Sequence, residues 1–436
     1  MWKTELTAST DHLTCPFCGL ACDDLQLEHQ DSNGPIDIRN GCETARNAFT
    51  QLMAAETRPP MIAGRPVALE EALERCVSRL REARAPLFGG LATDVNGMRA
   101  ALSLADQCGA LLDHVNSDAL FRNQLVQQDS GWMTTTLTEA RNRADLVVLI
   151  GSQWHERFPR LIERVLSPPE ALFTETSERR FVLIGPYESQ AVPAELRGCI
   201  QNVIQIENRQ IGALAGLLRG LVAGRPVRAD AIPDVNAETL LTLAEQLKSA
   251  RYALFVWSAA ELDFPHAELT VQTLSELVRD LNQTTRAAAL PLAGTLGDIT
   301  VNQVCTWQSG YPLRTDFQQQ GPRYDPMLNR HQDILARNEC DLLLWIAAIP
   351  GGGDPPSTDY PTLVLGHPGL LIERPPEVFI PVGVPGIDHP GHWYRSDAAC
   401  PLPLGQIRDL GLPSVAQILT QLGQRLAQTA QEETPC

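Results

Sequence analysis

The run Leu146-Val147-Val148-Leu149-Ile150, closed by Gly151-Ser152, restricts the fold more than any other stretch of this chain. Five consecutive apolar residues leave no polar face for solvent. As a strand, such a run must be covered on both sides, the condition of a parallel sheet in an α/β layer structure. Further apolar runs at 86–91, 181–184, 203–206, 252–257, 287–291, 341–346 and 362–365 read as strands of the same kind. Helical spacing lies between them, near 94–107, 208–223, 237–249 and 266–282; in the second of these Ile211, Leu214, Leu218 and Leu221 share one face. Leu69, Ala72, Leu73, Cys76 and Leu80 also recur at helical spacing, which makes Cys76 a core thiol. Ser414 with Gln417 forms a capping box for a last helix carrying Val415, Ile418, Leu419 and Leu422.

Punctuation divides the chain. Pro59-Pro60 and Gly64-Arg65-Pro66 end a first segment, and a Pro/Asp-rich link lies near 225–234. The reading is an α/β protein of two doubly wound parallel-sheet lobes plus a small N-terminal four-cysteine metal lobe. Its expected parts are 1–65, 66–225, 226–340 and 341–436, the last completing the lobes and ending in a disordered tail over 427–436. At 436 residues the chain exceeds one ordinary core. A net charge of −17 argues against nucleic-acid or anionic-membrane partners, and no apolar run approaches a membrane span. The start Met1-Trp2-Lys3-Thr4-Glu5 has no basic-then-apolar signal pattern. The cysteine count is odd, 11, and seven of them are scattered, so a reducing, cytoplasmic setting is expected rather than a disulfide framework.

The strongest chemical signal is Cys15-Pro16-Phe17-Cys18-Gly19-Leu20-Ala21-Cys22, followed by Cys42. This C-x2-C-x3-C-x19-C spacing lets one loop supply three thiolates and a later residue the fourth. Four thiolates suit a [4Fe–4S] cluster or a structural Zn²⁺, and the successive short gaps favour the cluster. Gly19 and the polar Asp23-Asp24 place the cysteines in a loop rather than in a core.

Other signals are weaker. Gly89-Gly90, Gly151-Ser152, Gly185-Pro186 and Pro350-Gly351-Gly352-Gly353 follow expected strands, where α/β proteins bind ligands. Glycine there also serves any tight turn. His155-Glu156 starts like a zinc-protease motif, but Pro159 stands where the second His belongs. His389 and His392 beside Asp388 lie in a Pro/Gly-rich loop, more often solvated than metal-binding. No G-x-G-x-x-G, G-x-x-x-x-G-K-[ST] or G-x-S-x-G motif occurs.

Taken together, these segments resemble the B subunit of formylmethanofuran dehydrogenase, a molybdopterin oxidoreductase family, along nearly the whole chain. The loop C-P-F-C-G-L-A-C-D-D at 15–24 is close to that family's C-P-F-C-G-x-x-C-D-D. Asn142-Arg143-Ala144-Asp145 leads into the strand ending at Gly151. Thr306-Trp307-Gln308-Ser309-Gly310-Tyr311-Pro312 and Gly321-Pro322-Arg323-Tyr324 look like T-W-Q-T-G-Y-P and P-R-Y. The stretch F-I-P-V-G-V-P-G-I-D at 379–388, with Tyr394-Arg395, looks like the family's ending.

One departure bears on function. The resemblance implies that active members hold molybdenum or tungsten between two pterins and one Cys or selenocysteine, in a stretch like S-V-C-H-G-P. Here that stretch is Asn116-Ser117-Asp118-Ala119-Leu120-Phe121-Arg122. Ala119 falls on the ligand position, Leu120 on the His and Phe121 on a Gly. The implied relative is the formyltransferase/hydrolase complex of methylotrophs, which moves formyl groups from tetrahydromethanopterin to methylofuran and releases formate without redox chemistry. By that resemblance the Mo/W-pterin is absent from this chain. Hydrolase, formyltransferase and cofactor-binding partner subunits carry the sites and the methylofuran, and this chain is structural. The competing expectation is a working dehydrogenase in which Asp118, shifted by one residue, ligates the metal. Gly151 and Ser152 are weak candidates for a retained cofactor pocket.

Overall fold

The computed structural model describes residues 9–29, 36–187, 192–228, 232–233, 235–319, 321–351 and 353–432. They form two compact units, Met1–Ser117 with Gly294–Cys436, and Asp118–Ala293.

The 118–293 unit is built on a five-stranded, wholly parallel sheet in the order Ile200–Gln205, Arg180–Gly185, Leu146–Ile150, Ala253–Ser258, Ala287–Leu292. Leu146–Ile150 is central, and every one of its residues is buried, as its unbroken apolarity requires. Val148 faces Val182 on one side and Phe255 on the other. Both oxygens of Asp145, just before this strand, accept the amide N–H groups of Arg251 and Tyr252 at 3.0 and 2.8 Å, which pins the register. Helices Ile211–Val222, Ala237–Ser249 and Ala267–Leu281 bury Leu214, Leu218, Leu240, Leu247, Leu274 and Leu281 in the shared core. The chain builds outward from Leu146–Ile150 on one side, then returns and builds on the other. The order therefore reverses between Leu146–Ile150 and Ala253–Ser258.

The other unit carries a nine-stranded sheet. Five inner strands, Leu111–Leu112, Pro86–Ala92, Leu342–Ala347, Thr362–Gly366 and Val378–Pro381, run parallel. Short antiparallel strands finish both edges: Thr315–Asp316 and Arg323–Tyr324 at one, Met61–Ile62 and Arg65–Pro66 at the other. Helix Val95–Cys108 starts at Asp94, whose carboxylate caps the Gly97 N–H at 3.0 Å, and packs along helix Val415–Glu432. The expected capping box opens the latter: Ser414 Oγ accepts from the Gln417 N–H, and Gln417 Oε1 from the Ser414 N–H. The 1–117 segment adds an antiparallel meander of Ser9–Leu13, Leu25–His29 and Ile36–Arg39.

The parallel α/β expectation is therefore met, while the division differs from the four consecutive segments anticipated. Pro86–Ala92 and Leu342–Ala347 pair directly, so residues from both ends of the chain build one sheet, and the cysteine segment belongs to that larger unit. Helix Val415–Glu432 continues through 427–432, expected to be disordered, and Cys436 lies outside the described residues.

Candidate functional site

The cysteines sit where the N-terminal meander turns. Cys15–Cys22 joins Ser9–Leu13 to Leu25–His29, and the loop closes on itself by a 2.8 Å bond from the Cys15 N–H to the Cys22 carbonyl. Cys42 follows the third strand and is the N-cap of helix Glu43–Ala54, its sulfur accepting the Ala45 N–H at 3.5 Å. Phe17 packs edge-on against Phe49 of that helix, ring centres 5.1 Å apart, which brings loop and helix together. Cys15 and Cys22 are buried, Cys18 and Cys42 partly so. Burial first, then the neighbouring thiols, push Cys15 well up and Cys18 to about 12; Cys18, Cys22 and Cys42 all act on Cys15. Backbone N–H groups oppose this, from Phe17 at the sulfur of Cys15 and from Leu20 and Ala21 at that of Cys18. The donor set suits a thiolate-bound metal in its chemistry, since a cation taking the place of the protons would neutralise the thiolates that burial and one another's charge disfavour. Among the described residues, however, no three His, Cys, Asp or Glu side chains close on a single metal ion. The four cysteines share a neighbourhood, without the geometry of one ion.

Asp118, Ala119, Leu120 and Phe121 are not a loop. They form the first turns of helix Ser117–Asp129, with Leu120 and Phe121 only 4% and 2% exposed. Just upstream, a buried polar cluster fixes the approach to this helix. One oxygen of Asp113 accepts the hydroxyl of Ser117 at 2.9 Å and the backbone N–H of His331 at 2.8 Å, with the His331 ring nitrogen at 2.7 Å. Arg314 donates to Ser117 Oγ at 3.1 Å. His114 accepts the Asn116 N–H at Nδ1, so its Nε2–H donates to the Leu296 carbonyl at 3.1 Å. Burial, partly offset by that carbonyl and by Asp113, lowers its pKa to about 4, keeping the ring neutral. No spacing rule links Asp113 to Arg314 and His331, which lie some 200 residues further along the chain.

The glycine candidates separate on inspection. Gly89-Gly90 lie inside strand Pro86–Ala92, not after it. A Cβ on Gly89 would fall 2.6 Å from the Trp345 ring, and one on Gly90 equally close to the Ile346 carbonyl; these glycines make room for Trp345. Trp345 in turn donates to the Gly353 carbonyl at 2.6 Å, a structural role for part of that glycine run, of which Gly352 is outside the described residues. Gly151 ends its strand at φ 85°, and the Ser152 N–H donates to the carboxylate of Glu261 at 2.7 Å. Gly185 is the last residue of the neighbouring strand, and a Cβ there would lie 3.1–3.3 Å from the Gly151 backbone. His389 bonds to the Gly383 and Pro390 carbonyls, Asp388 pairs with Arg408 at 2.6 Å, and His392 is exposed.

The segments 306–312 and 321–324 lie at the surface. Helix Asp298–Ser309 ends at Gly310 with Trp307 65% exposed under the Arg99 guanidinium, and Tyr311 stacks on Tyr324 at 6.0 Å. A cleft of about 1050 Å³ runs beside them, lined by Asp94, Arg99, Trp307, Pro322 and His389.

No family model matches the chain. It is 27% identical to the B subunit of the tungsten-containing formylmethanofuran dehydrogenase 2 of Methanocaldococcus jannaschii over 414 residues, 91% of this chain and 93% of that one. It is likewise 27% identical to the B subunit of the formyltransferase/hydrolase complex Fhc of Methylorubrum extorquens over 321 residues, 73% of this chain and 83% of that one. A chain of the crystal structure of that organism's FhcABCD complex with methylofuran matches with a TM-score of 0.73 at 25% identity. The match covers 85% of this chain and 99% of that one. This chain is a homologue of these B subunits. As a B-subunit homologue it lacks a sulfur donor at Ala119 and packs the next two side chains into core. The residues present there do not fit a metal held by a cysteine. Among the described residues no helix is long and apolar enough to cross a membrane.

Proposed function

We propose that this chain is a non-redox structural subunit of a cytoplasmic formyltransferase/hydrolase complex, with formyl transfer to methylofuran and hydrolysis to formate carried by partner subunits. The observation that carries this reading is Ala119 on the first turn of helix Ser117–Asp129, followed by buried Leu120 and Phe121. An alanine offers no lone pair, and two packed apolar side chains fill the room that a pterin-bound metal and its substrate need. The two parallel-sheet units are, on the same reading, the lobes of a molybdopterin oxidoreductase fold that has kept its shape and lost its catalyst. Exposed Trp307, Tyr311, Met327 and Leu328 supply apolar contact surface for partners, a composition over-represented at interfaces. The four cysteines then hold a relic [4Fe–4S] cluster or a structural Zn²⁺, stabilising the segment that carries them.

Asp118 favours a second reading. It is half-buried, one residue from the ligand position, and a carboxylate can hold molybdenum. The test is elemental analysis of anaerobically purified native protein. The scaffold reading expects no molybdenum or tungsten; iron or zinc identifies the cysteine-bound metal, and neither means four thiols without a metal. Molybdenum or tungsten near one per chain, lost on Asp118→Asn, overturns it.

A further inference from the structure

In an open parallel sheet, ligands bind beyond the carboxyl ends of the strands, where the strand order reverses. In the 118–293 unit that place lies between the ends of Leu146–Ile150 and Ala253–Ser258, and it is not vacant of charge. The turn after Ala253–Ser258 folds back, the Glu261 N–H bonding to the Ser258 carbonyl, and points the Glu261 carboxylate at the end of the neighbouring strand. Its Oε2 takes the Ser152 N–H at 2.7 Å, and the Gln153 N–H is aimed at the same group. Gly151 is needed for this approach, since a Cβ there would lie 2.2 Å from Oε2. Glu261 is 8% exposed, and its Oε1 is buried with no hydrogen-bond partner. Asn208, which donates to the Glu261 carbonyl at 3.0 Å, has a buried Oδ1 in the same condition. Two consecutive amide N–H groups after a left-handed glycine are a cradle for an oxyanion. Here a carboxylate fills it, and one of its two oxygens is left without a partner.

We propose that Glu261 is an internal occupant of an oxyanion-binding site at this switch point, and that its carboxylate excludes phosphate-bearing ligands from the unit. The charge on Glu261 faces Arg157, Glu156 and the buried hydroxyl of Tyr187. Burial raises its pKa, and the Gln153 and Ser152 amides draw it part of the way back down. The inference rests on the sheet alone and stands whether or not the chain holds a metal.

The test uses the full chain, with hydrogen exchange of residues 151–157 and melting temperature as readouts and inorganic phosphate as the probe. Glu261→Ala is expected to lower the melting temperature by about 3 °C or more and to speed exchange of this segment about tenfold. Added phosphate at about ten millimolar should restore at least half of both losses, whereas chloride at equal ionic strength should restore neither and the unsubstituted chain should not respond. Acetate, the carboxylate alone, should rescue less than phosphate. Glu261→Gln keeps the shape and one acceptor oxygen without the charge. It should lose protection at Ser152 and Gln153 and gain no response to phosphate. The proposal is overturned if phosphate acts on Glu261→Ala no better than chloride, if the unsubstituted chain binds phosphate equally, or if Glu261→Gln matches the parent in both readouts.

Discussion

Two regions that the family resemblance links to metals have gone opposite ways. Around Cys15, Cys18, Cys22 and Cys42 the chain keeps four sulfurs in one neighbourhood, where burial and the neighbouring sulfurs push Cys15 and Cys18 up and so hold them as thiols. At Asp118–Phe121 the chain packs instead: these residues form the first turns of a helix, and Leu120 and Phe121 are core. The contrast separates sulfurs that could still exchange their protons for a metal from apolar side chains that are held by packing alone. A buried aromatic needs no occupant to be worth keeping.

The largest effect that would sharpen this contrast is at Phe121. Phe121→Ala should cost about 3–5 kcal/mol, because a fully buried ring is removed from a helix that joins core on its inner face. A thermal or denaturant melt reads this directly, and a loss within the range of surface substitutions would mean that the site is still a cavity. Next in size is the pH response of the polar cluster before the helix. His114 has its pKa lowered to about 4 by burial, against 6.5 when unfolded, so the unfolded chain binds the extra proton first. The stability that His114 contributes is complete above about pH 6.5 and falls away as pH drops towards 4, by roughly 2–3 kcal/mol. His367, also lowered to about 4 by burial and then by Arg58, acts in the same sense. Asp298, raised by burial to about 7 against the pull of three amide N–H groups, acts in the opposite sense and loses stability as pH rises from about 4 to 7. Comparing His114→Gln with the parent isolates one component: the variant's melting temperature should fall less steeply between pH 6.5 and 4. Parallel curves would place a charged, paired imidazole there and break the account of the cluster as a neutral anchor. The smallest effect is Ala119→Cys. One thiol on a half-buried helical turn should change stability by no more than about 0.5 kcal/mol and should recruit no molybdenum or tungsten on elemental analysis. Metal uptake by that variant would show that Leu120 and Phe121 yield more easily than their burial implies.

The fold was largely legible. Leu146–Ile150 had to be covered on both faces, and the helices between the apolar runs repeat at the spacing that a sheet layer demands. Two of the parallel strands escaped, Val378–Pro381 and Leu111–Leu112, because four- and two-residue segments carry no usable period. The candidate site was legible only where its residues are adjacent in sequence. The cysteine loop announces itself by spacing. Glu261 does not, because nothing distinguishes that acid from the chain's other carboxylates until a turn points it at Ser152. The same holds for Asp113, whose partners Arg314 and His331 come from a distant part of the chain.

What the sequence determined by itself, then, is local: apolar runs that must be strands, a capping box that must open a helix and four cysteines in one short segment. Local rules act through neighbours a few residues apart, and those neighbours are written consecutively. The tertiary structure alone decided that both ends of the chain share one sheet, that Gly89-Gly90 make way for Trp345 rather than for a ligand, and that Glu261 occupies a strand-end cradle. Each of these depends on backbone segments brought within a few ångströms from far apart. Such proximity is fixed by packing the whole, and no short stretch of sequence contains it.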